Sequence, residues 1–447
     1  MKFTIETYGC QMNVADSELI TAILQNHKSM QPDNRYEFTE EINQAQIIIF
    51  NTCSVRENAE RRVLGRISNE IARKQRDKSI LIGVVGCMAQ RLGEKLNLKS
   101  NKRGIYPQID FVAGVDQYEQ LPEIIEQCKK KHKFIAQTTF NHEEIYSDLL
   151  PARTNQLNAF VTIMRGCNNF CTYCIVPYTR GRERSRPVEE ILNEIQKAGN
   201  ERYFDVTLLG QNVNSYNHQN INFPKLLKMA NKIDSIKRLR FVTSHPKDLS
   251  DELIEVMATS DKVCEHIHLP VQSGNNEILK RMNRNYTVEH YLSTINKLRK
   301  AIPNIAITTD VIAGFPGETE EQFMDTFNLM KEIRYDFAYM FKYSERSGTK
   351  ATEFKDSVPE KLRLDRLQRL IDQQTLITTE KYQDKIGCTE EIYVECFSKK
   401  DSNQLSGKTR DFKITVFEGD DSLIHSFVKV KITDAVGWTL KGKLISS

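Results

Sequence analysis

The sequence predicts a multidomain α/β protein with a parallel N-terminal α/β domain, a central partial (βα)6 barrel and a small C-terminal β-barrel. Before residue 385, short apolar runs alternate with amphipathic stretches, which is typical of parallel strands joined by crossover helices. After it, short alternating strands separated by turns indicate a small all-β module. We therefore expect domains over 1–140, 157–384 and 385–447, with a polar linker over 141–156.

The first two domains are predicted from their strands. In the N-terminal domain we expect a first strand through Phe3 and Ile5 that leads into a turn over 8–10, further strands over 46–50, 80–85 and 109–113, and helices over 57–76 and through Cys128. In the central domain we expect strands over 159–164, 205–209, 239–243, 264–269, 306–312 and 336–342. Six strand–helix units are too few to close an eight-stranded barrel. We therefore expect a partial barrel with its chemistry on the loops after the strands.

Two helices of the central domain have distinct sequence signals. Thr319 and Gln322 form a capping-box pair at the start of one helix. The apolar stripe expected to follow on its inner face consists of Phe323, Phe327, Met330 and Ile333. Residues 359–382 predict a second, long helix that leads into the C-terminal module.

The C-terminal module, with strands expected over 391–395, 414–417, 427–432 and 440–445, is nearly neutral. It contains ten Lys and Arg residues against nine Asp and Glu residues. Charge alone would therefore give this module only weak affinity for a nucleic acid such as RNA, and stacking or a local basic patch would have to contribute more of the binding energy. The candidate patch consists of Lys399, Lys400, Lys408 and Arg410.

Composition excludes several classes of protein. The net charge of +4 is far below that of a histone-like nucleic-acid binder, and 39% hydrophobic residues argue against wholesale disorder. The sequence contains no run of 18 uncharged apolar residues and no apolar signal-peptide core, so we expect a cytoplasmic protein without a membrane span. Ten cysteines in a reducing compartment are not expected to form structural disulfides. Four of them are interpreted as core residues: Cys128, Cys264, Cys388 and Cys396.

The cysteine spacing at Cys167, Cys171 and Cys174 is the strongest chemical signal. For ten cysteines in this chain, about 0.005 chance matches to C-x3-C-x2-C are expected. Three thiolates on one loop can bind three irons of a cubane cluster and leave the fourth iron open. The alternative is a structural zinc site, which has four protein ligands and often includes histidine among them. The flanking histidines, His142 and His218, lie 25 residues before and 44 residues after the triad.

A second triad is predicted in the N-terminal domain. Cys10, Cys53 and Cys87 each follow a predicted strand, and the carboxyl ends of parallel strands meet at one edge of a sheet. Three thiolates from neighbouring loops could therefore meet there. The alternative is three buried structural cysteines.

These motifs resemble the methylthiotransferase family of the radical S-adenosylmethionine superfamily. The resemblance rests on GCQMN (9–13), NTCSVRENA (51–59), GCMAQR (86–91) and the C-x3-C-x2-C loop, and it covers the whole chain. It implies two 4Fe-4S clusters, one per triad, and S-adenosylmethionine as cofactor. It also implies a 5′-deoxyadenosyl radical as the agent that abstracts hydrogen, and a terminal barrel similar to a TRAM RNA-binding module.

Within the family, GCQMN followed by Asp16-Ser17-Glu18 is most similar to the branch that modifies N6-isopentenyladenosine at position 37, beside the tRNA anticodon. A radical suits this reaction because the adenine C2 hydrogen has no useful acidity. The sulfur donor and the electron donor would be external and are not identified by the sequence. The alternatives are the branches that act on threonylcarbamoyladenosine or on a ribosomal protein, and a non-catalytic iron–sulfur sensor that binds RNA.

Further contacts are expected on the loops after the barrel strands. Tyr173 matches the aromatic that the family usually has before the last cysteine, with core packing as the alternative. Barrel geometry makes Gln211, Gln272 and Asp310 candidates for cofactor contact, against ordinary turn chemistry. The arginine-rich segment after the triad predicts RNA phosphate contacts, against a solvated loop; its candidates are Arg182, Arg184 and Arg186.

Overall fold

The computed structural model describes residues 1–27, 35–54, 57–97, 109–153 and 158–445. By internal packing these residues form two compact units. The N-terminal unit comprises 1–154, 164–168 and 174–190, and the barrel unit comprises 155–163, 169–173 and 191–447. Across the described residues, no helix is both long enough and apolar enough to span a bilayer.

The regular elements follow in chain order. The strands are β1 (Lys2–Tyr8), β2 (Glu37–Phe38), β3 (Ile47–Thr52), β4 (Leu81–Gly86), β5 (Phe111–Ala113), β6 (Ile135–Gln137), β7 (Ala159–Thr162), β8 (Met164–Arg165), β9 (Arg184–Ser185), β10 (Asp205–Leu209), β11 (Asn217–His218), β12 (Ile221–Asn222), β13 (Arg238–Phe241), β14 (His266–His268), β15 (Ala306–Ala313), β16 (Phe337–Lys342), β17 (Thr389–Phe397), β18 (Gln404–Lys408), β19 (Ile414–Glu418), β20 (Phe427–Val436) and β21 (Thr439–Leu444). The α-helices are α1 (Gln11–Asn26), α2 (Glu57–Arg76), α3 (Cys87–Leu92), α4 (Leu121–Lys131), α5 (Val176–Arg180), α6 (Val188–Asn200), α7 (Phe223–Asn231), α8 (Asp251–Thr259), α9 (Asn276–Arg281), α10 (Val288–Ala301), α11 (Glu320–Ile333) and α12 (Glu360–Gln383).

The N-terminal unit is built on a parallel sheet with the order β2-β1-β3-β4-β5-β6. Successive residues of β3 point to opposite faces, so Ile47 and Ile49 pack with α1 and α4 while Ile48 and Phe50 pack with α2 and α3. Helices on both faces bury the central strands β3, β4 and β5 completely, which explains their continuous apolar runs. The predicted parallel α/β domain is confirmed.

The barrel unit contains six parallel strands in two groups. The groups β7-β10-β13 and β14-β15-β16 are joined by a parallel bridge between Leu239 and Val263. Helices α6 to α11 connect successive strands, and the predicted capping box at Thr319 and Gln322 is present at the start of α11. The sheet does not close on itself within the described residues, so the predicted partial (βα)6 barrel is confirmed.

The C-terminal module is a closed barrel with the order β17-β18-β19-β21-β20. It docks on the amino ends of the parallel strands within the same unit. Arg238, the fully buried first residue of β13, donates to the carbonyl oxygens of Lys408 and Glu391, each at 2.7 Å. Arg410 forms an ion pair with Glu265 at 2.8 Å. Two members of the predicted RNA patch therefore have partners in the protein, since Lys408 also pairs with Glu395.

The structure differs from the sequence-based expectations at a few positions. Strand β18 was not predicted, because QLSGK lacks the β-branched and aromatic residues that mark a strand, and barrel closure forms it. Cys128 and Cys264 are buried as expected, but the prediction is wrong for Cys388, which is exposed at the turn after α12. The expected linker has neither helix nor strand over 141–153, and residues 154–156 lie outside the described ranges.

Candidate functional site

Three cysteines follow three adjacent parallel strands at one edge of the N-terminal sheet. The last residues of β1, β3 and β4 are aligned by register, and Cys10, Cys53 and Cys87 come one or two residues later. The strand order reverses between β1 and β3, which makes this edge a topological switch point. Open α/β sheets bind their ligands at such points, beyond the carboxyl ends of the strands. The structure thus brings the predicted N-terminal triad to a ligand-binding edge.

The thiols of this edge interact with one another. A hydrogen bond with Cys53 is the largest effect that lowers the pKa of the Cys10 thiol, to about 6; burial opposes the shift and the charge of Arg180 supports it. Burial raises the pKa of the Cys87 thiol. A Cβ on Gly9 would lie 2.9 Å from the Cβ of Cys53, so only glycine permits this close approach. Cys10 is therefore more readily present than Cys87 as a thiolate, the form that binds metal.

A buried amide network joins the three motif segments. The Asn13 side chain donates to Oδ1 of Asn51 at 3.0 Å, and the Asn51 side chain donates to the Asn13 carbonyl at 2.8 Å and to Oγ of Ser17 at 2.9 Å. Gly86 has a φ of +89°, and a Cβ there would lie 2.4 Å from Oδ1 of Asn51. The non-cysteine residues of the motifs therefore hold the cysteine loops in register. Val55 and Arg56 of the second motif lie outside the described residues.

A buried carboxylate links the thiol edge to the arginine-rich segment. Asp16 accepts hydrogen bonds from Arg165 at 2.8 Å and from Arg180 at 2.6 Å, all within the N-terminal unit. Burial opposes ionisation of Asp16, but Arg180 and Arg165 outweigh it and hold the pKa of that carboxyl below its usual range. Nε of Arg180 also donates to Sγ of Cys87 at 3.2 Å. Removing one member of such a buried pair typically costs about 3–5 kcal/mol.

The donor chemistry of the N-terminal edge fits an iron–sulfur cluster. Among the described residues, no three His, Cys, Asp or Glu side chains are close enough together to hold a single metal ion. A cubane cluster needs a wider arrangement, because each thiolate binds a different iron. The cation beside Cys87 is Arg180, which can donate to a sulfur but has no lone pair with which to bind metal. Three thiols fit a cluster that keeps one iron open.

The second triad lies on the loop after β7 and β8. Cys167 and Cys174 belong to the N-terminal unit, where the Cys167 amide donates to the carbonyl of Gly181 at 3.1 Å. Cys171 belongs to the barrel unit, where the buried Arg284 donates from Nη1 to its Sγ at 3.6 Å. The donor set is again three thiols and fits a cluster, and a buried arginine again lies at one of the sulfurs.

Neighbouring backbone holds the barrel-unit part of this loop in place. The Thr172 amide donates to the Met282 carbonyl at 3.0 Å, and the Thr172 carbonyl accepts from the Ala351 amide at 2.8 Å. The side chain of Asn283 donates to the carbonyls of Asn169 and Phe170, each at 3.1 Å. These contacts fix the backbone on both sides of Cys171.

Four of the buried polar atoms that have no hydrogen-bond partner among the described residues lie at the carboxyl edge of the barrel strands. These four are Oε1 of Gln211, Oδ1 of Asn212, Oγ of Ser244 and Nε2 of His245. Burial, together with Arg284 and Lys247, lowers the pKa of His245 to about 2, so its ring is neutral. Each such group costs about 1–3 kcal/mol unless something bonds it. A polar cofactor such as S-adenosylmethionine, with amino, carboxylate and ribose groups, fits this edge.

The other predicted cofactor contacts lie on the same unit. Tyr173 is half-buried and packs edge-on against Phe315, with ring centroids 6.4 Å apart. Gln272 is buried, and its backbone N–H donates to the backbone carbonyl of Asp310 at 2.9 Å. Oδ2 of Asp310 lies 3.5 Å from Nε2 of His268. Their cofactor contacts stay predictions, and Tyr173 additionally has a packing role.

The three arginines predicted to bind phosphate differ in their surroundings. Arg184 donates both terminal nitrogens to the buried carboxylate of Asp116, at 3.0 and 3.1 Å. Arg186 is buried, with one nitrogen 3.7 Å from Glu190. Arg182 is exposed. Contact with RNA stays a prediction for all three, but the charges of Arg184 and Arg186 already face carboxylates in the protein.

The arginines at the sulfur atoms were not predicted from the sequence. Arg180 lies in the arginine-rich segment, for which the sequence predicts only phosphate contacts, and Arg284 lies 113 residues from Cys171. No spacing rule connects residues so far apart. The available signal is energetic: a guanidinium is costly to bury without a partner, so a buried arginine is expected to have a specific acceptor nearby.

Comparisons with known proteins agree with this organisation. Residues 161–330 match the Radical SAM superfamily, residues 2–107 match "Uncharacterized protein family UPF0004", and residues 383–445 match the TRAM domain. The chain is 47% identical over 446 residues to a protein of Thermoanaerobacter sp. named tRNA-2-methylthio-N(6)-dimethylallyladenosine synthase, which covers 99% of this chain and 92% of that protein. A Clostridium botulinum protein of the same name is 46% identical over 447 residues, covering 99% and 97%.

Solved structures with a similar fold are more distant in sequence. The radical S-adenosylmethionine methyltransferase TsrM of Kitasatospora setae has a TM-score of 0.56 at 12% identity, covering 76% of this chain and 72% of that one. The cobalamin-dependent S-adenosylmethionine radical enzyme OxsB has a TM-score of 0.52 at 14% identity, covering 83% and 56%. At such identities the likeness concerns the fold alone.

Proposed function

The chain belongs to the family of tRNA-2-methylthio-N(6)-dimethylallyladenosine synthases, and on that premise we propose that it methylthiolates C2 of N6-isopentenyladenosine at position 37 of tRNA. It is a radical S-adenosylmethionine enzyme and a tRNA methylthiotransferase, with a TRAM domain at its C-terminus.

The observation that carries the proposal is the row of three thiols beyond β1, β3 and β4. It supplies a second set of cluster ligands in addition to Cys167, Cys171 and Cys174, so the enzyme holds two 4Fe-4S clusters. When bound, the loop cluster and S-adenosylmethionine supply one-electron chemistry that activates an unreactive C–H bond, and the N-terminal cluster supplies a site for sulfur.

The residues of this chain divide the remaining tasks. Cys10, Cys53 and Cys87 hold the N-terminal cluster, and Arg180 donates a hydrogen bond to one ligating sulfur. Asp16 positions that arginine. S-adenosylmethionine is bound by Gln211, Gln272, Asp310 and Tyr173. The side-chain oxygen of Gln211, which is buried without a hydrogen-bond partner among the described residues, supports this most directly.

The RNA partner is a tRNA anticodon stem–loop. An unpaired loop base can be splayed into a pocket without opening a duplex, which suits a site at the edge of a partial barrel. Arg182, Arg184 and Arg186 contact the phosphates. We place the enzyme in the cytoplasm, where its tRNA substrate is. An electron donor and a carrier of sulfur or clusters act from outside the chain.

The test is mass spectrometry of tRNA nucleosides from cells that lack this protein, complemented with the wild type or with Cys53→Ala. We expect 2-methylthio-N6-isopentenyladenosine to disappear and to return only with the wild type. Cys128→Ala, a buried cysteine outside both triads, is the matched control and should restore the product. Loss of a threonylcarbamoyladenosine derivative, or of a modified ribosomal protein, would assign another branch of the family. Wild-type enzyme that forms no 5′-deoxyadenosine after anaerobic reconstitution would instead indicate a sensor.

A further inference from the structure

An exposed row of aromatic side chains runs along β16 in the barrel unit. Phe337, Tyr339 and Phe341 alternate with inward residues, so all three project from one face of this edge strand. Tyr339 and Phe341 are each 43% exposed. Rings of this size normally bury most of their surface, and an exposed apolar row of this kind indicates a binding surface.

The row continues into the terminal barrel. Trp438, at the tip of the hairpin formed by β20 and β21, packs edge-on against Phe337 with ring centroids 5.2 Å apart, and it is 51% exposed. Phe337 in turn packs edge-on against Tyr339 at 5.0 Å. We define Trp438, Phe337, Tyr339 and Phe341 as the aromatic row. It extends from the terminal barrel, docked at the amino ends of the strands, toward their carboxyl ends.

The register of the sheet shows which face the row occupies. Tyr339 pairs with Asp310 of β15, and its ring packs edge-on against His268 of β14 at 5.8 Å. Asp310 and His268 form the close pair described above. The aromatic row therefore shares a face of the sheet with Asp310, which we assign to the cofactor site.

The hairpin that presents Trp438 is strongly cationic. Its strands expose four lysines, which are Lys429, Lys431, Lys441 and Lys443. Lys431 and Lys443 pair directly across the two strands, an arrangement that is destabilising unless an anion lies between them. The acidic residues that face them on the same sheet are Asp434, opposite Lys441, and Glu391, opposite Lys429. Within the described part of the chain, the ammonium group of none of the four lysines forms an ion pair or a hydrogen bond; the Thr433 hydroxyl donates to the backbone carbonyl of Lys441.

We propose that the aromatic row stacks the unpaired bases of an RNA loop while the four hairpin lysines bind its phosphates. The inference rests on the proposed function and adds to it the surface that guides the loop. Aromatic rings beside a row of cations suit single-stranded nucleic acid, because every base has a face that can stack and every nucleotide has a phosphate. A protein partner would not need both features side by side.

Trp438 is the single tryptophan of the chain, so its fluorescence reports directly on the row. The probe is a synthetic anticodon stem–loop RNA with an unmodified loop, titrated into the full-length protein. We expect the loop RNA to quench the fluorescence, and an RNA duplex of equal length without unpaired bases to quench it far less.

Substitutions test the stacking. Trp438→Ala and Tyr339→Ala should each weaken stem–loop binding about 5- to 150-fold, which corresponds to about 1–3 kcal/mol of stacking per base, while Trp438→Phe should retain most of the affinity. Leu376→Ala, which removes a 64% exposed side chain from α12, is the matched control and should bind like the wild type. Filter binding measures the affinities, and circular dichroism checks that each variant folds.

A salt series tests the lysines. The double variant Lys431→Ala/Lys443→Ala should lower the slope of log K against log salt by about 1.4–1.8, and Trp438→Ala should leave the slope unchanged. Lys228→Ala/Lys232→Ala, at exposed positions on and just after α7, should also leave it unchanged. If the Trp438 and Tyr339 variants bind the stem–loop as well as the wild type does, the stacking role of the aromatic row is wrong and the proposed function is unaffected. Failure of the wild type to bind the stem–loop would count against the proposed function itself.

Discussion

Arg180 donates its Nε hydrogen to Sγ of Cys87 at 3.2 Å, and Asp16 holds the same guanidinium at 2.6 Å. In the barrel unit, Nη1 of Arg284 likewise donates a hydrogen bond to Sγ of Cys171, at 3.6 Å. Each cysteine triad thus has one sulfur that accepts a hydrogen bond from a buried cation. Hydrogen bonds to ligating sulfurs are among the main determinants of cluster potential, so on the proposed function we expect these arginines to tune the clusters rather than bind them.

Replacement of Arg180 tests that role. Arg180→Lys keeps the positive charge but removes the Nε donor, and we expect the N-terminal cluster to be harder to reduce while its iron content stays near that of the wild type. A potentiometric titration followed by electron paramagnetic resonance measures the shift. Arg165→Lys is the matched control, because Arg165 also binds Asp16 but donates to no cysteine within the described contacts. Equal shifts in both variants would contradict a specific effect at Cys87.

Iron content tests the assignment of the two triads. Anaerobically reconstituted wild type should contain about eight irons per chain. The triple variant Cys167→Ala/Cys171→Ala/Cys174→Ala should contain about half, because the N-terminal triad shares no ligand with it. Iron analysis beside protein quantification is sufficient, and Cys264→Ala serves as the control for loss of a buried cysteine. Full iron retention in the triple variant would remove that triad from the cluster ligands.

The two clusters should be functionally separable. Cys53→Ala should leave reductive cleavage of S-adenosylmethionine near the wild-type rate, because the radical cluster has its own ligands, and it should abolish sulfur transfer to RNA. Chromatography of 5′-deoxyadenosine and mass spectrometry of the RNA product measure both in one reaction. Normal methylthioadenosine from this variant would mean that the N-terminal triad is structural.

The salt dependence of RNA binding tests the arginine-rich segment. Arg182→Ala should lower the slope of log K against log salt by about 0.7–0.9, the effect of one lost phosphate contact. Isotherms at four salt concentrations measure it, with the exposed Arg202→Ala as a control. If the slope stays at the wild-type value, the segment belongs to the fold and the cofactor site rather than to RNA recognition.

Acid should weaken the buried charge cluster that lies where the terminal barrel meets the parallel strands. Buried Lys413 lies 2.7 Å from Asp411 and 3.1 Å from Asp336. Burial opposes ionisation of Asp411, but Lys413 and Lys385 outweigh it and hold the pKa of this carboxyl well below its usual range. A lowered pKa in the folded state contributes stability above the unfolded pKa of about 3.9, and that stability is lost as the pH falls through the folded value.

Asp411→Asn should therefore be about 1–3 kcal/mol less stable than the wild type at pH 7, with the difference shrinking in acid below about pH 4. Lys413 keeps Asp336 as a partner, which limits the loss. Urea unfolding of the full chain at a series of pH values measures the difference. The exposed Asp401→Asn on the same barrel is the control. A difference that is independent of pH would show that the charge of Asp411 is not what stabilises this cluster.

Much of the fold could be predicted because each element has a local pattern. The strand Asp205–Leu209 and the helix Glu57–Arg76 agree with their expected bounds, since their apolar periodicity follows from burial against one or two faces. The capping box at Thr319 is encoded within four residues. Strand β18 was missed because its pairing comes from barrel closure and not from its own residues.

The sequence by itself determined the two cysteine triads and the edge at which the first one lies, because spacing and strand order are properties of the chain. Only the tertiary structure decided which charges meet: Asp16 with Arg165 and Arg180, and Arg184 with Asp116. The same is true of Trp438, which joins Phe337 from 101 residues away. A buried charge is stable only beside an opposite charge, and its partner can lie anywhere in the sequence. An exposed ring forms a binding surface only together with neighbours that folding places beside it. Neither relationship produces a local pattern in the sequence.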